Sequence, residues 1–166
     1  YAHVEARNDG LPKARRLYTR ALDLSPARME ALLGLGALEA RAGNVPKALA
    51  LYEKALQVEP LNVEVRHALA QLHVRLGDDQ TARRLLEEVL HRCPANARVR
   101  CTVGQLEQRR GGFQAAAAHY LAGMEDPGIH ALLCFEAYAG LQEFLGELDE
   151  AEAVFRRGER RGVGGR

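Results

Sequence analysis

The sequence predicts an all-α protein, a solenoid of stacked helix–turn–helix repeats, and three observations carry that prediction. Prolines stand at Pro26, Pro60 and Pro94, each 34 residues after the last. Glycines Gly43, Gly77 and Gly111 form a second ladder at the same period. Between these markers Ala, Leu, Arg and Glu dominate, which is the composition of good helix formers. A fixed period of this length marks a repeat architecture in which each unit is one supersecondary element.

The units follow in chain order. The first spans about 1–28 and starts inside a helix at Tyr1, so the chain is expected to be part of a longer protein. Its second helix opens near Pro12 and carries Ala14, Tyr18 and Ala21. The second unit, 29–62, is the clearest. Leu32, Leu35, Gly36 and Glu39 share one side of a first helix, and Gly43 ends it, because glycine tolerates the left-handed backbone of a helix terminus. Val45, Ala48, Leu49, Tyr52, Ala55 and Leu56 then recur at helical period. Pro46 fits the first turn, where its missing N–H is harmless, and Pro60 closes the unit. Gly36 and Ala48 are small so that the paired helices can approach closely.

The third unit, 63–95, repeats this with Leu69, Ala70, Gly77, Ala82, Val89 and Pro94. In the fourth, 96–130, Gly104, Gly111, Ala116 and Tyr120 keep the register. Gly123 stands there in place of a helix-packing alanine, and Asp126-Pro127-Gly128 displaces the closing proline. The fifth, 131–161, regains register after a one-residue insertion, with Gly146, Ala151 and Phe155 matching Gly111, Ala116 and Tyr120, and Gly158 again replacing alanine. Residues 162–166 are expected to form a flexible basic tail after a single array over 1–161. The whole pattern predicts ten helices in five antiparallel pairs. Linkers fall near 9–11, 25–28, 43–44, 59–61, 77–78, 93–95, 111–112, 126–128 and 146–147. Each hairpin leaves an apolar side that only a neighbouring hairpin can cover.

Composition excludes several function classes. Basic and acidic side chains number 23 and 22, so no global charge drives the chain toward nucleic acid or an anionic membrane. No apolar run approaches the roughly 20 residues of a membrane span, and membrane and small-molecule partners are not expected. Cys93, Cys101 and Cys134 follow no disulfide or metal-site spacing, which favours a reducing, intracellular setting. The cytoplasm is the first expectation, with an organelle or the nucleus as alternatives. His130 and Cys134 lie four apart, but no second pair joins them, so the pair reads as packing or surface residues. No nucleophile elbow, phosphate loop, zinc-protease helix or dinucleotide fingerprint occurs. The reading is therefore of a protein without enzymatic activity and without a cofactor.

The run Leu32, Leu35-Gly36, Gly43, Ala48, Tyr52, Ala55 and Pro60 resembles the tetratricopeptide repeat, with Leu32 where that family often has Trp. The resemblance covers nearly the whole chain. It implies a right-handed superhelix whose first helices line a concave side that holds an extended peptide or a partner's helix. The carboxylate clamp of one subset is not matched, since the corresponding places carry Leu33, Ala37, His67, Gln71, Cys101 and Gln105. A second resemblance is to the half-a-tetratricopeptide repeat of RNA-processing factors. Glu5, Glu39 and Glu107 near the ends of first helices support it, as do Ala14-Arg15-Arg16 and Ala82-Arg83-Arg84. The aromatic residues of that subfamily are missing: Leu32, Arg66 and Arg100 stand where a Trp would. The leading expectation is thus a protein-interaction scaffold for a protein or peptide, acidic in one version. An RNA-binding factor of RNA processing or stabilisation is the alternative.

The candidate binding residues come from a third ladder, Arg7, Arg41, Arg75 and Arg109, again 34 apart. Equivalent residues of stacked units line up, so a row of guanidiniums would suit carboxylates or phosphates, onto which arginine forks. His67, Gln71, Gln105 and Gln108 would add neutral hydrogen bonds on nearby turns. A second reading is compatible with the first. Each arginine lies in the last turn of its helix, where a cation favours the helix dipole by about 0.3–1 kcal/mol, and pairing with Glu5, Glu39 or Glu107 is open to it. The basic stretches 92–110 and 156–166 read as solvated faces or a frayed end.

Overall fold

A computed structural model describes residues 10–163. Among them are nine α-helices and no strand: α1 (Leu11–Leu24), α2 (Met29–Arg41), α3 (Val45–Val58), α4 (Val63–Arg75), α5 (Asp79–Arg92), α6 (Ala97–Arg109), α7 (Phe113–Met124), α8 (Ala131–Leu145) and α9 (Leu148–Val163). The expected helix before Pro12, with Glu5 and Arg7, lies outside the described residues, as do 164–166 of the expected tail. The last helix runs to Val163, past the boundary expected at 161.

The turns fall where the ladders place them. Gly43, Gly77, Gly111 and Gly146 all adopt positive φ, between 79° and 88°. That left-handed conformation is open to glycine at no steric expense and lets the chain reverse in two or three residues. Pro12 and Pro46 sit in the first turns of α1 and α3. After Pro60 and Pro94, Asn62 and Asn96 cap the next helices, their Oδ1 atoms accepting from Val65 N at 3.0 Å and Val99 N at 3.1 Å. The arginines at the Trp position secure these loops. Arg66 donates from Nε and Nη2 to the Pro60 carbonyl at 3.0 and 2.7 Å, and Arg100 donates from Nε to the Pro94 carbonyl at 2.7 Å.

The described residues form two compact units, divided after Leu85. In the first, α1 packs on α2, α2 on α3, and α3 on α4. One core cluster there joins Ala14, Tyr18, Ala31, Leu35 and Leu38. In the second, α6 packs on α7, α7 on α8, and α8 on α9, while α6 also meets α8. Its core joins Ala97, Cys101, Ala116, Tyr120, Met124, Ala131, Cys134, Phe135, Tyr138 and Leu141.

The small residues have definite occupants. A Cβ at Gly36 would stand 2.6 Å from the Tyr52 ring, and one at Gly104 would collide with the Tyr120 ring. Ala48 is fully buried between these helices. Ala48→Leu should therefore overpack the hairpin and cost about 1–3 kcal/mol, read as a lowered urea midpoint with an unchanged slope.

The departures in the last units also have physical reasons. Gly123 leaves the space that the Cys134 sulfur fills, and Gly158 lets α9 close on Phe135, where a Cβ would sit 3.1 Å from the Phe135 Cβ. Asp126 replaces the closing proline with a cap, its Oδ2 accepting from Ala97 N at 2.9 Å and its Oδ1 from Gly128 N at 2.7 Å. Part of the basic C-terminal stretch is structural. Arg161 donates to the Met124 and Asp126 carbonyls at the end of α7, and Arg157 lies 5.8 Å from the Phe135 ring centroid.

Candidate partner-binding surface

The first helices of the hairpins, α2, α4, α6 and α8, each bury one side and expose the other. Leu32, Leu35 and Leu38 of α2 are buried while Ala37 and Arg41 are exposed. Gln71 and Arg75 are exposed on α4, as are Gln105 and Arg109 on α6. Gly140 and Phe144 hold the equivalent places on α8, one residue later because of the insertion, and both are exposed. The third helical row runs through Glu30, Glu64, Arg98 and Leu133, exposed except at Arg98, which is half-buried. The same places on successive first helices are thus left to solvent.

Within the first unit the arginine ladder acquires a structural partner. Arg75 Nη1 reaches the Ala40 carbonyl at 3.5 Å, over the C-terminal turn of α2 and next to Arg41. The same guanidinium acts on Tyr52. Burial raises the Tyr52 hydroxyl above its ordinary value and the Arg75 charge opposes that rise. Arg75 thus faces the negative end of the neighbouring helix, a contact other than the one expected with the end of its own helix. The expected pairing of the ladder with Glu39 is not formed. Glu39 is fully buried and accepts from Arg15 Nε at 2.8 Å, Arg15 Nη2 at 3.1 Å, Asn44 Nδ2 at 2.6 Å and Lys47 Nζ at 2.8 Å. Burial pushes its carboxyl upward, but the bonds from Arg15, Lys47 and Asn44 outweigh it and hold the group at about 2. One carboxylate so ties α1, α2, the turn and α3 together.

The other candidates divide. His67, one turn before Gln71 on α4, is buried at 6% exposure. Gln108 turns inward, its Oε1 accepting from the Tyr120 hydroxyl at 3.0 Å. Gln71 and Arg75 stand a turn apart on α4, and Gln105 and Arg109 a turn apart on α6. Arg7 is outside the described residues. The histidine–cysteine pair separates: His130 meets Arg98 Nη2 at 3.0 Å, whereas Cys134 is buried. No group of three metal-ligating side chains occurs among the described residues, and no described helix is long and apolar enough to cross a membrane.

Residues absent from the expected set are Leu133, Gly140 and Phe144. Leu133 is 40% and Phe144 68% exposed, and a Cβ at Gly140 would meet open space. Phe144 lies 5.4 Å, ring to ring, from Phe113. Their signal was present in the sequence: the one-residue insertion carries the Arg109 position to Phe144. The equivalent exposed places are therefore polar on α4 and apolar on α8.

Comparison with known proteins agrees with the fold. Tetratricopeptide repeat profiles match residues 2–59 and 39–106, together more than half of the chain. No curated protein matches the sequence. Among solved structures, MamA resembles it with a TM-score of 0.68 at 18% identity, over 98% of this chain and 95% of that one. The pilF protein of Pseudomonas aeruginosa gives 0.70 at 21% identity, over 80% of this chain and 60% of its own. A tetratricopeptide repeat protein of Parabacteroides merdae gives 0.68 at 22%, over 95% and 62%. At these identities the likeness is one of fold. With the repeat profiles, the periodic glycine turns and the small-residue packing in agreement, the chain belongs to the tetratricopeptide repeat family.

Proposed function

We propose that the chain is a non-catalytic protein-interaction scaffold whose first helices present their exposed rows to a peptide or a partner's helix. The observation that carries this reading is the repeated exposure of Arg41, Arg75, Arg109 and Phe144, and of Ala37, Gln71, Gln105 and Gly140, on helices otherwise committed to packing. Exposed arginines and a phenylalanine set at equal places on rigid helices can take part in recognition. Arginines and an aromatic residue are the types enriched where binding energy concentrates. The arginines favour a partner bearing carboxylates, and Leu133 and Phe144 favour one that also carries apolar side chains.

The test uses a synthetic peptide array in which acidic and apolar residues alternate. It is probed with the wild-type chain and with the triple variant Arg41→Glu, Arg75→Glu, Arg109→Glu. The variant should lose roughly tenfold or more in affinity while its circular dichroism is unchanged. Loss of folding would make the arginines supports of the scaffold, as Arg75 is toward Ala40. Unchanged binding with unchanged folding would remove the ladder from the function. Filter binding to single-stranded RNA across a salt series is the competing arm: retention that falls steeply with salt would favour the RNA reading.

A further inference from the structure

We propose that Cys101 and Cys134 form an oxidisable dithiol, a modification site at which a peroxide creates an intrachain disulfide that fastens α6 to α8. Both residues are buried in the core of the second unit, Cys101 at 8% and Cys134 at 0% exposure, and both are free thiols. They face each other across two helices that meet directly. Each sulfur reaches the backbone beside the other. Cys101 Sγ lies 3.7 Å from the Leu133 carbonyl, one residue from Cys134. Cys134 Sγ lies 3.3 Å from the Ala97 carbonyl, and in a helix that carbonyl points at the amide four residues on, which here is Cys101. The Cys134 sulfur is therefore alongside the Cys101 backbone, and the two thiols lie within hydrogen-bonding reach of each other.

The surroundings are shaped for this sulfur. Gly123 stands where the repeat pattern calls for alanine, and a Cβ there would occupy the place of Cys134 Sγ. Alanine at 123 would displace the sulfur toward or away from its partner, so the glycine and the thiol belong to one arrangement. The two thiols differ in character. Hydrogen bonding from Cys134 brings Cys101 below the ordinary thiol value, while the bond to Cys101 and burial raise Cys134. Cys101, with its remaining exposure, is the more acidic thiol of the pair, and Cys134 holds its proton more firmly. This matches the division between an attacking and a resolving cysteine.

The chemistry balances with hydrogen peroxide or an organic hydroperoxide as the oxidant. Cys101 sulfur attacks one peroxide oxygen, the O–O bond breaks, and the leaving oxygen departs as water (or alcohol) with the thiol proton. Cys101 is then a sulfenic acid. Cys134 sulfur attacks that sulfur, the S–O bond breaks, and the hydroxyl leaves as water with the Cys134 proton. Two thiols surrender two electrons to the peroxide and one S–S bond forms.

The test uses the Cys93→Ser chain, which removes the exposed competitor in the linker before α6. The folded protein is treated with increasing hydrogen peroxide, unfolded in iodoacetamide, digested and mapped by mass spectrometry. The expected product is one chain lighter by two hydrogen atoms, with the Cys101 and Cys134 peptides joined and neither alkylated. It should melt above the reduced protein and revert with dithiothreitol. In Cys93→Ser/Cys134→Ser, Cys101 should stop as a sulfenic acid that dimedone traps. Recovery of both thiols alkylated, disulfides only between chains, or sulfinic acid at Cys101 without a cross-link would each overturn the proposal. The first measurement needs no change to the packed pair, so a misfolded Cys134 variant leaves it decisive.

Discussion

Replacing Glu39 with alanine is expected to destabilise the first unit by about 1.5–3 kcal/mol, because it removes the charged acceptor on which three neighbouring side chains converge. Arg15, Lys47 and Asn44 all donate to it, from α1, α3 and the turn between α2 and α3. Arg15 and Lys47 keep 37% and 53% of their side-chain surface, so water recovers part of their loss. Glu39 itself is fully buried, and most of the effect resides in the contacts it organises. The same carboxylate sets an acid dependence. An unfolded glutamate titrates at about 4.3, whereas in the fold Glu39 is held at about 2. A depressed value means that the native state prefers the ionised form. The contribution is complete above the unfolded value and is lost as pH falls from there through about 2. The advantage of wild type over Glu39→Gln, measured by urea unfolding, should shrink across that window. A difference independent of pH would show that charge is not what Glu39 supplies.

The second large effect is expected at Tyr120, the bulkiest fully buried side chain. Its ring lies against Gly104 on α6 and its hydroxyl donates to Gln108, so one residue fixes both spacing and rotation of the α6–α7 hairpin. Tyr120→Ala should cost about 3–5 kcal/mol through the cavity it leaves. Tyr120→Phe keeps the ring and should cost about 1 kcal/mol, the usual net worth of one hydrogen bond. If the two variants unfolded at the same urea concentration, the ring would not be what holds the helices apart.

The fold was legible because its punctuation is local. Proline at a first helical turn and glycine in a left-handed turn act through their own backbones, so Pro46 and Gly43 mark helix bounds without any knowledge of neighbours. Side-chain partners across hairpins were not legible in the same way. Glu39 looked like one of a series with Glu5 and Glu107, yet its partners are Arg15 from the preceding hairpin and Lys47 from its own. Spacing along one helix could not name them. Gln108 and His67 fell in the right helices but not at exposed places: Gln108, one residue before Arg109, is turned by roughly 100° from it and accepts from Tyr120, and His67 is buried. Leu133 and Phe144 were missed for a different reason. They break the chemistry of the ladder while keeping its geometry, and a search for like residues passes over a position where arginine becomes phenylalanine.

The four left-handed glycines have a consequence for how free energy is shared along the chain. At Gly43, Gly77, Gly111 and Gly146 an added Cβ would meet nothing within 4 Å, so alanine there imposes torsional strain without a clash. Strain of this kind is roughly 1–2 kcal/mol per residue and should be alike at all four turns. The chain therefore carries one perturbation that can be applied at four points 34 or 35 residues apart. If neighbouring hairpins unfold as one, each substitution will lower the whole transition equally. If they unfold in sections, Gly43→Ala and Gly146→Ala will split the melting curve in different places, and the spacing between the components will measure the coupling from one hairpin to the next.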